Sequence, residues 1–162
     1  METMGYRNLD KVDKLARAGR FQSIRGDAHT FDPMQYTLLS RMARATYDWP
    51  LDKEAKKSNG MPRTYDRGWL AMAYELGMIC ESDGIAAGEQ EIIGNLPRYP
   101  RLERLAMQRL SLTAKKLEEA GLIKCLFHGG AQKKNNSIWL LMIGDDEENA
   151  EVEAYVRQRL RI

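Results

Sequence analysis

Apolar residues recur at helical spacing in several stretches of this chain and crowd at strand-like density in two others. Leu9, Val12, Leu15 and Ala16 share one side of a helical period and Gly19 offers a stop, so residues 1–30 read as an N-terminal arm or short helix. A stronger start signal follows at Phe31-Asp32-Pro33-Met34-Gln35-Tyr36. Asp32 can cap, Pro33 suits the first helical position, Gln35 can complete a capping box and Phe31 can staple onto Tyr36. The pattern predicts a helix from Pro33 to about Tyr47, with Leu38, Leu39, Met42, Ala43 and Thr46 inward and Trp49-Pro50 ending it.

Residues 50–64, PLDKEAKKSNGMPRT, show no period and read as an exposed connection. The next helix begins near Asp66, where Trp69, Leu70, Ala73 and Leu76 fall at i, i+1, i+4 and i+7 and Gly77 can close it. Cys80 to Pro100 gathers Gly84, Gly88, Gly94, Pro97 and Pro100 around Ile92, Ile93 and Leu96, and residues 78–100 read as an inserted loop with one helical turn. A long helix then spans Arg101 to Ala120 with Gly121 at its end, and strands at about Leu122–Phe127 and Ser137–Ile143 flank a Gly-rich basic tip. After Gly144, DDEENAEVEAYVRQRLRI opens with acids and closes with arginines, as the helix dipole prefers. Val152, Tyr155, Val156 and Leu160 give this C-terminal helix one apolar side, which either packs on its own domain or forms a homodimer contact.

Composition narrows the classes. A chain of 162 residues with 43% hydrophobic and 30% charged side chains can hold one domain with a core plus extensions. Its 25 Lys and Arg against 23 Asp and Glu leave only +2, so the net charge does not point to a polyanion. The distribution does. From Arg98 to Lys134 nine basic residues (98, 101, 104, 109, 115, 116, 124, 133, 134) face three acids (103, 118, 119), whereas Asp145 to Glu153 carries six acids and no base.

Cys80 and Cys125 lie far apart in no metal-ligand spacing, so neither a metal nor another cofactor is expected. No histidine sits beside a recognisable nucleophile or metal motif and no phosphate-cradling glycine loop precedes a helix, which argues against an enzyme. The segment METMGYRNLDKVDK lacks the apolar core of a signal peptide, and no run approaches the ~20 apolar residues of a membrane span. A cytoplasmic location without membrane partners is the expectation.

The long helix carries the candidate chemistry. At ~100° per residue, Arg104, Gln108, Ser111 and Lys115 fall within roughly 60° of one another with Arg101 just beyond, while Ala106, Leu110, Thr113, Ala114 and Leu117 lie opposite. Such a helix can be held from behind while its outer stripe enters a major groove about 12 Å wide. Arg101, Arg104 and Gln108 are candidate base readers, because arginine on guanine or glutamine on adenine makes two hydrogen bonds in a base-specific pattern. Ser111, Lys115 and Lys116 suit phosphate contact, Lys133, Lys134, Asn135 and Asn136 at the hairpin tip suit backbone or minor groove, and Arg98 is a further DNA-binding candidate.

LEEAGLIK (Leu117 to Lys124) and GWLAMAYELG (Gly68 to Gly77) resemble the end of the recognition helix and the second helix of the winged helix-turn-helix family. The layout is similar to small helix-turn-helix proteins of bacterial phages and mobile elements. The resemblance covers about Asp32 to Ile143. It implies a mainly α fold with a small β-hairpin wing, a winged helix-turn-helix domain over 31–144, and N- and C-terminal helical extensions at 1–30 and 145–162. It also implies sequence-specific binding of double-stranded DNA by helix 101–120 and wing 128–137, in transcriptional regulation or in replication or recombination of a mobile element. The competing expectation is a protein-interaction module that uses Leu105, Leu112 and the C-terminal helix to hold a protein partner.

Overall fold

A computed structural model of the chain describes residues 4–86, 88–130 and 135–162. Among these residues it forms seven helices and seven strands. In order they are α1 (Tyr6–Arg17), β1 (Gln22–Arg25), β2 (Ala28–Phe31), α2 (Pro33–Arg44), α3 (Lys53–Lys57), β3 (Thr64–Tyr65), α4 (Gly68–Glu75), α5 (Glu81–Ala86), β4 (Glu91–Ile93), β5 (Leu96–Arg98), α6 (Pro100–Glu119), β6 (Ile123–Phe127), β7 (Ile138–Leu141) and α7 (Asp146–Leu160). The strands make three small antiparallel sheets, ordered β1-β2, β3-β7-β6 and β4-β5. Two compact units result, one from residues 1–66 with 114–162 and one from residues 67–113.

The expected mainly α, winged helix-turn-helix architecture with a single hairpin wing is therefore overturned; the fold is mixed α/β. Hairpins occupy two segments whose periodicity predicts an arm and a loop. Each turns on a two-residue loop that begins with glycine, Gly26-Asp27 and Gly94-Asn95, at φ +60 and +67. Positive φ at that position gives the turn the same twist as its strands. The hairpin of β6 and β7 differs too, since β3 pairs with the other edge of β7 and completes a three-stranded sheet.

In the first unit, α1 packs against α2. Gly5, at φ +77, starts α1, and a side chain there would run into the carbonyls of Ala43 and Arg44 at the end of α2, so only glycine allows this approach. The start of α2 matches its sequence signal. The Asp32 carboxylate accepts the Met34 and Gln35 N–H groups at 3.0 and 3.3 Å, and the Phe31 and Tyr36 rings pack with centroids 6.2 Å apart. The helix stops at Arg44 rather than Tyr47, and the Thr46 hydroxyl turns back to the Ala43 carbonyl at 3.0 Å.

Burial opposes ionisation of Asp32, but hydrogen bonds from Ser23 and Gln35 and the charge of Lys116 outweigh it, holding its carboxyl below the ordinary 3.8. Its stabilisation is accordingly complete above that value and is lost as the pH falls through the lower folded pKa. Asp32→Ala is expected to cost about 1 to 2 kcal/mol in urea unfolding, and Asp32→Asn, which still caps, much less.

Val152 and Val156 of α7 are buried with Leu140, and the Trp49 and Tyr155 rings pack at 5.4 Å. The apolar side of α7 is thus consumed inside its own unit, and the helix leaves little apolar surface for the homodimer contact considered from sequence. The stretch 50–64, predicted as an exposed connection, instead supplies α3, β3 and a fully buried cation. Arg63 donates from Nε to Asn8 Oδ1 at 3.1 Å and pairs with the Glu148 carboxylate, which Lys11 Nζ also reaches at 3.3 Å. Asn8, itself fully buried, donates to the Tyr47 carbonyl at 2.9 Å.

The second unit comprises α4, α5, the β4-β5 hairpin and residues 100–113 of α6. Among the described residues, Met72, Ala73, Ile79, Tyr99, Ala106 and Leu110 are its buried apolar side chains. The segment predicted as an inserted loop thus contains α5 and a sheet, and Gly77, at φ +68 just after the Leu76 cap, closes α4 as the sequence predicts.

Candidate nucleic-acid interface

The helix that carries most candidate residues forms for local reasons. Pro100 opens α6, the Tyr99 carbonyl accepts the Glu103 N–H at 2.9 Å, and a run rich in Leu, Ala, Lys, Arg and Glu sustains the turns. At the far end Gly121, φ +74, donates to the Glu118 carbonyl at 3.0 Å and Leu122 N–H donates to the Leu117 carbonyl at 2.9 Å. These two bonds are the Schellman closure, so the glycine predicted as the C-terminal residue is the one that terminates α6.

Burial divides the helix into two arcs. Ala106, Leu110, Thr113, Ala114 and Leu117 are buried, and Glu103 joins them at 4% exposure. Arg101, Arg104, Gln108 and Ser111, on the part of α6 in the second unit, are exposed, as are Lys115 and Lys116 on the part in the first unit. Arg104, Gln108, Ser111 and Lys115 make no side-chain hydrogen bond or ion pair with any described residue.

The other candidates are more constrained. Arg101 Nη1 lies 3.0 Å from Glu89 Oε1 while remaining largely exposed, and Lys116 Nζ lies 3.5 Å from Asp32 Oδ2. Arg98 grips Glu103 with two bonds of 2.6 and 2.9 Å, and the Tyr74 hydroxyl donates to the same carboxylate at 2.7 Å. The Arg98 hydrogen bond, opposed by burial and helped by Tyr74, holds the Glu103 carboxyl below its ordinary range. Burial and the hydrogen bond to Glu103 push Tyr74 up to about 12. Arg98 is therefore a structural cation that satisfies a buried acid, and a free phosphate would have to compete with that carboxylate. The signal for it lies in the sequence, because an acid within the apolar arc of a helix needs a nearby cation. Arg109, absent from the sequence candidates, is also exposed, but it sits about 140° around the helix from Arg104, off the polar stripe.

In the first unit, the hairpin connection from β6 to β7 is pinched at its neck. Gly130 N–H donates to the Asn135 carbonyl and Gly129 N–H to Ser137 Oγ, each at 3.1 Å. Asn136 donates from Nδ2 to the Asp66 carbonyl at 3.1 Å, so its amide has a structural use, while the Asn135 side chain is exposed. Lys133 and Lys134 lie outside the described residues.

Cys125 Sγ approaches His128 Nδ1 at 3.5 Å, but burial pushes the thiol up, which disfavours the reactive thiolate. No group of three or more His, Cys, Asp or Glu among the described residues is arranged to hold a metal ion. No helix among them is long and apolar enough to cross a membrane. In comparisons with known proteins, the chain matches no family model, no curated protein and no solved structure.

Proposed function

We propose that this chain binds double-stranded DNA, with the outer face of α6 reading base edges in the major groove. One observation carries the reading: Arg104 and Gln108 stand one turn apart on a long helix, exposed and without a partner among the described residues. An unpaired guanidinium and an unpaired amide retain the donors and acceptor that bidentate contacts to guanine and adenine require. Ala106 and Leu110, in the same unit, are buried behind that face, so this part of the helix is held while its outer side stays available. Arg101, Ser111, Lys115 and Lys116 supply phosphate contacts in this reading, with Lys133 and Lys134 of the hairpin connection as further ones.

Salt dependence tests it. Selection of bound duplexes from a random pool, followed by affinity measurement against salt, is expected to give a log-log slope near −4.5 for ~5 phosphate contacts. A tight complex indifferent to salt, or no retention of duplex at low salt, overturns the reading.

A protein partner is the second reading, favoured by Leu105 and Leu112 at 47% and 58% exposure beside the polar stripe. It predicts that Leu105→Ser with Leu112→Ser abolishes partner capture and leaves any DNA affinity intact.

A further inference from the structure

A hollow of about 640 Å³ lies between the end of α7 and the turn after α3, wholly within the first unit. Asn59, Met61, Tyr155, Gln158, Arg159 and Arg161 line it. Two basic stretches, 100 positions apart in the chain, meet there because Arg159 Nη2 donates to Asn59 Oδ1 at 2.7 Å. Lys56 and Lys57 end α3 just before Asn59, and Arg157 and Arg159 end α7 ahead of its Arg161 cap. Asn59 stands at φ +56, in the left-handed region that asparagine enters more readily than most residues.

Every polar side chain on the lining can donate a hydrogen bond, and none of them is an acid. Arg161 makes no side-chain hydrogen bond or ion pair with any described residue, and Arg159 has only the neutral Asn59 as a partner. Asn59 accepts through its oxygen and so keeps both amide hydrogens for another acceptor. Glu54 of α3 pairs instead with Lys57 at 3.7 Å, and Glu153 of α7 with Lys124 and Arg157, each at 2.8 Å. Cations in the last turn of a helix are ordinary by themselves. Here two guanidiniums free of carboxylates border a concavity with a firm apolar floor. Met61 and Tyr155 pack against the buried Leu140, Val152 and Val156, and Trp49 packs beside Tyr155, so that floor is fixed by the core.

Pockets for small organic ligands run to roughly 300–1,000 Å³ and combine apolar walls with a few placed polar groups. A bare phosphate would leave most of this hollow to water and the floor unused. A phosphate joined to a flat, largely apolar ring system uses both. We propose that the hollow binds a nucleotide: Arg159 and Arg161 grip its phosphate, Asn59 and Gln158 add donors, and its base rests on Met61 and Tyr155. Arginine suits the task because its planar fork meets two phosphate oxygens at once. The inference does not rest on the DNA-binding reading, whose base-reading residues lie on α6.

Calorimetric titration of the full chain at low salt tests it, with each common ribonucleoside monophosphate, the matching nucleosides and inorganic phosphate as probes. At least one nucleotide is expected to bind about tenfold or more tightly than its nucleoside and than inorganic phosphate. Arg161→Gln and Gln158→Glu, both at exposed positions, are each expected to weaken that nucleotide about tenfold. Arg25→Gln, which removes an exposed cation of β1, is expected to leave it unchanged. No binding of any nucleotide overturns the proposal. Inorganic phosphate binding as tightly as the nucleotides, or an equal loss from Arg25→Gln, also overturns it, because either reduces the hollow to general positive charge. Duplex affinity that falls with Arg161→Gln while no nucleotide binds makes these arginines contacts to a nucleic-acid backbone, which overturns the nucleotide site and leaves the DNA reading standing.

Discussion

Replacing Arg63 with alanine is expected to cost about 3 to 5 kcal/mol of folding stability, the loss typical of breaking a buried ion pair from one side. The Arg63 side chain is 1% exposed, and its guanidinium holds the Glu148 carboxylate and Asn8 Oδ1. Its removal strands a carboxylate whose other cationic partner among the described residues is Lys11, and leaves a void where a long side chain stood. Gly144 bounds the space, since a Cβ there would come within 2.6 Å of Glu148 Oε1 and 3.1 Å of Arg63 Nη1, so the site has no room to rearrange on that side. Urea unfolding measures the loss. Arg63→Met combined with Glu148→Leu is expected to recover most of it, because an apolar pair of similar volume removes both charges at once. A single-variant loss under about 1 kcal/mol would equate the pair with an exposed one and defeat the argument.

The same pair predicts a pH response. Burial opposes ionisation of Glu148, but the hydrogen bond and charge of Arg63, together with Lys11, prevail and hold its carboxyl below the ordinary 4.5. A group with a lowered folded pKa binds fewer protons folded than unfolded. Its contribution is therefore complete above 4.5 and disappears as the pH falls through the folded value. The Arg63→Met/Glu148→Leu variant is expected to lose that part of the acid sensitivity.

Arg104→Ala combined with Gln108→Ala is expected to erase base preference. Each bidentate pair discriminates by about 1 to 3 kcal/mol, so losing both lowers the ratio of specific to non-specific affinity by roughly 30-fold to 10⁴-fold. Both side chains are exposed, so the fold is expected to survive. Competition between the selected duplex and a scrambled one measures the ratio directly. Lys133→Ala is the contrast, expected to weaken all duplexes alike. A double variant that still prefers the selected sequence would remove base reading from α6.

Much of this architecture is legible in the chain because local chemistry determines it. Asp32-Pro33 announces α2, Gly77 and Gly121 end their helices, and Asp145 caps α7 by accepting the Glu148 N–H at 2.8 Å. The outward orientation of Arg104, Gln108, Ser111 and Lys115 follows from helical periodicity alone. The two extra hairpins escape that reasoning. Their strands are only three or four residues long, too short to establish an alternating period, and Ile24, Phe31, Ile92 and Leu96 are apolar yet exposed. Their Gly-Asp and Gly-Asn turns were the available signal. Arg63 escapes for another reason. It lies in a polar stretch with Pro and Gly, and its partners Asn8 and Glu148 come from distant parts of the chain. Arg98 resembles its basic neighbours in sequence, and only the buried Glu103 separates its role from theirs.

The order in which the chain is made gives the Arg63 knot a consequence during synthesis. One anchor, Asn8, leaves the ribosome early, the guanidinium follows, and the carboxylate of Glu148 emerges only after residues 67–113 have been translated. A nascent chain lacking α7 holds Arg63 without its carboxylate, so completion of this buried network is expected to wait for Glu148, while residues 67–113 have no such wait imposed by this contact.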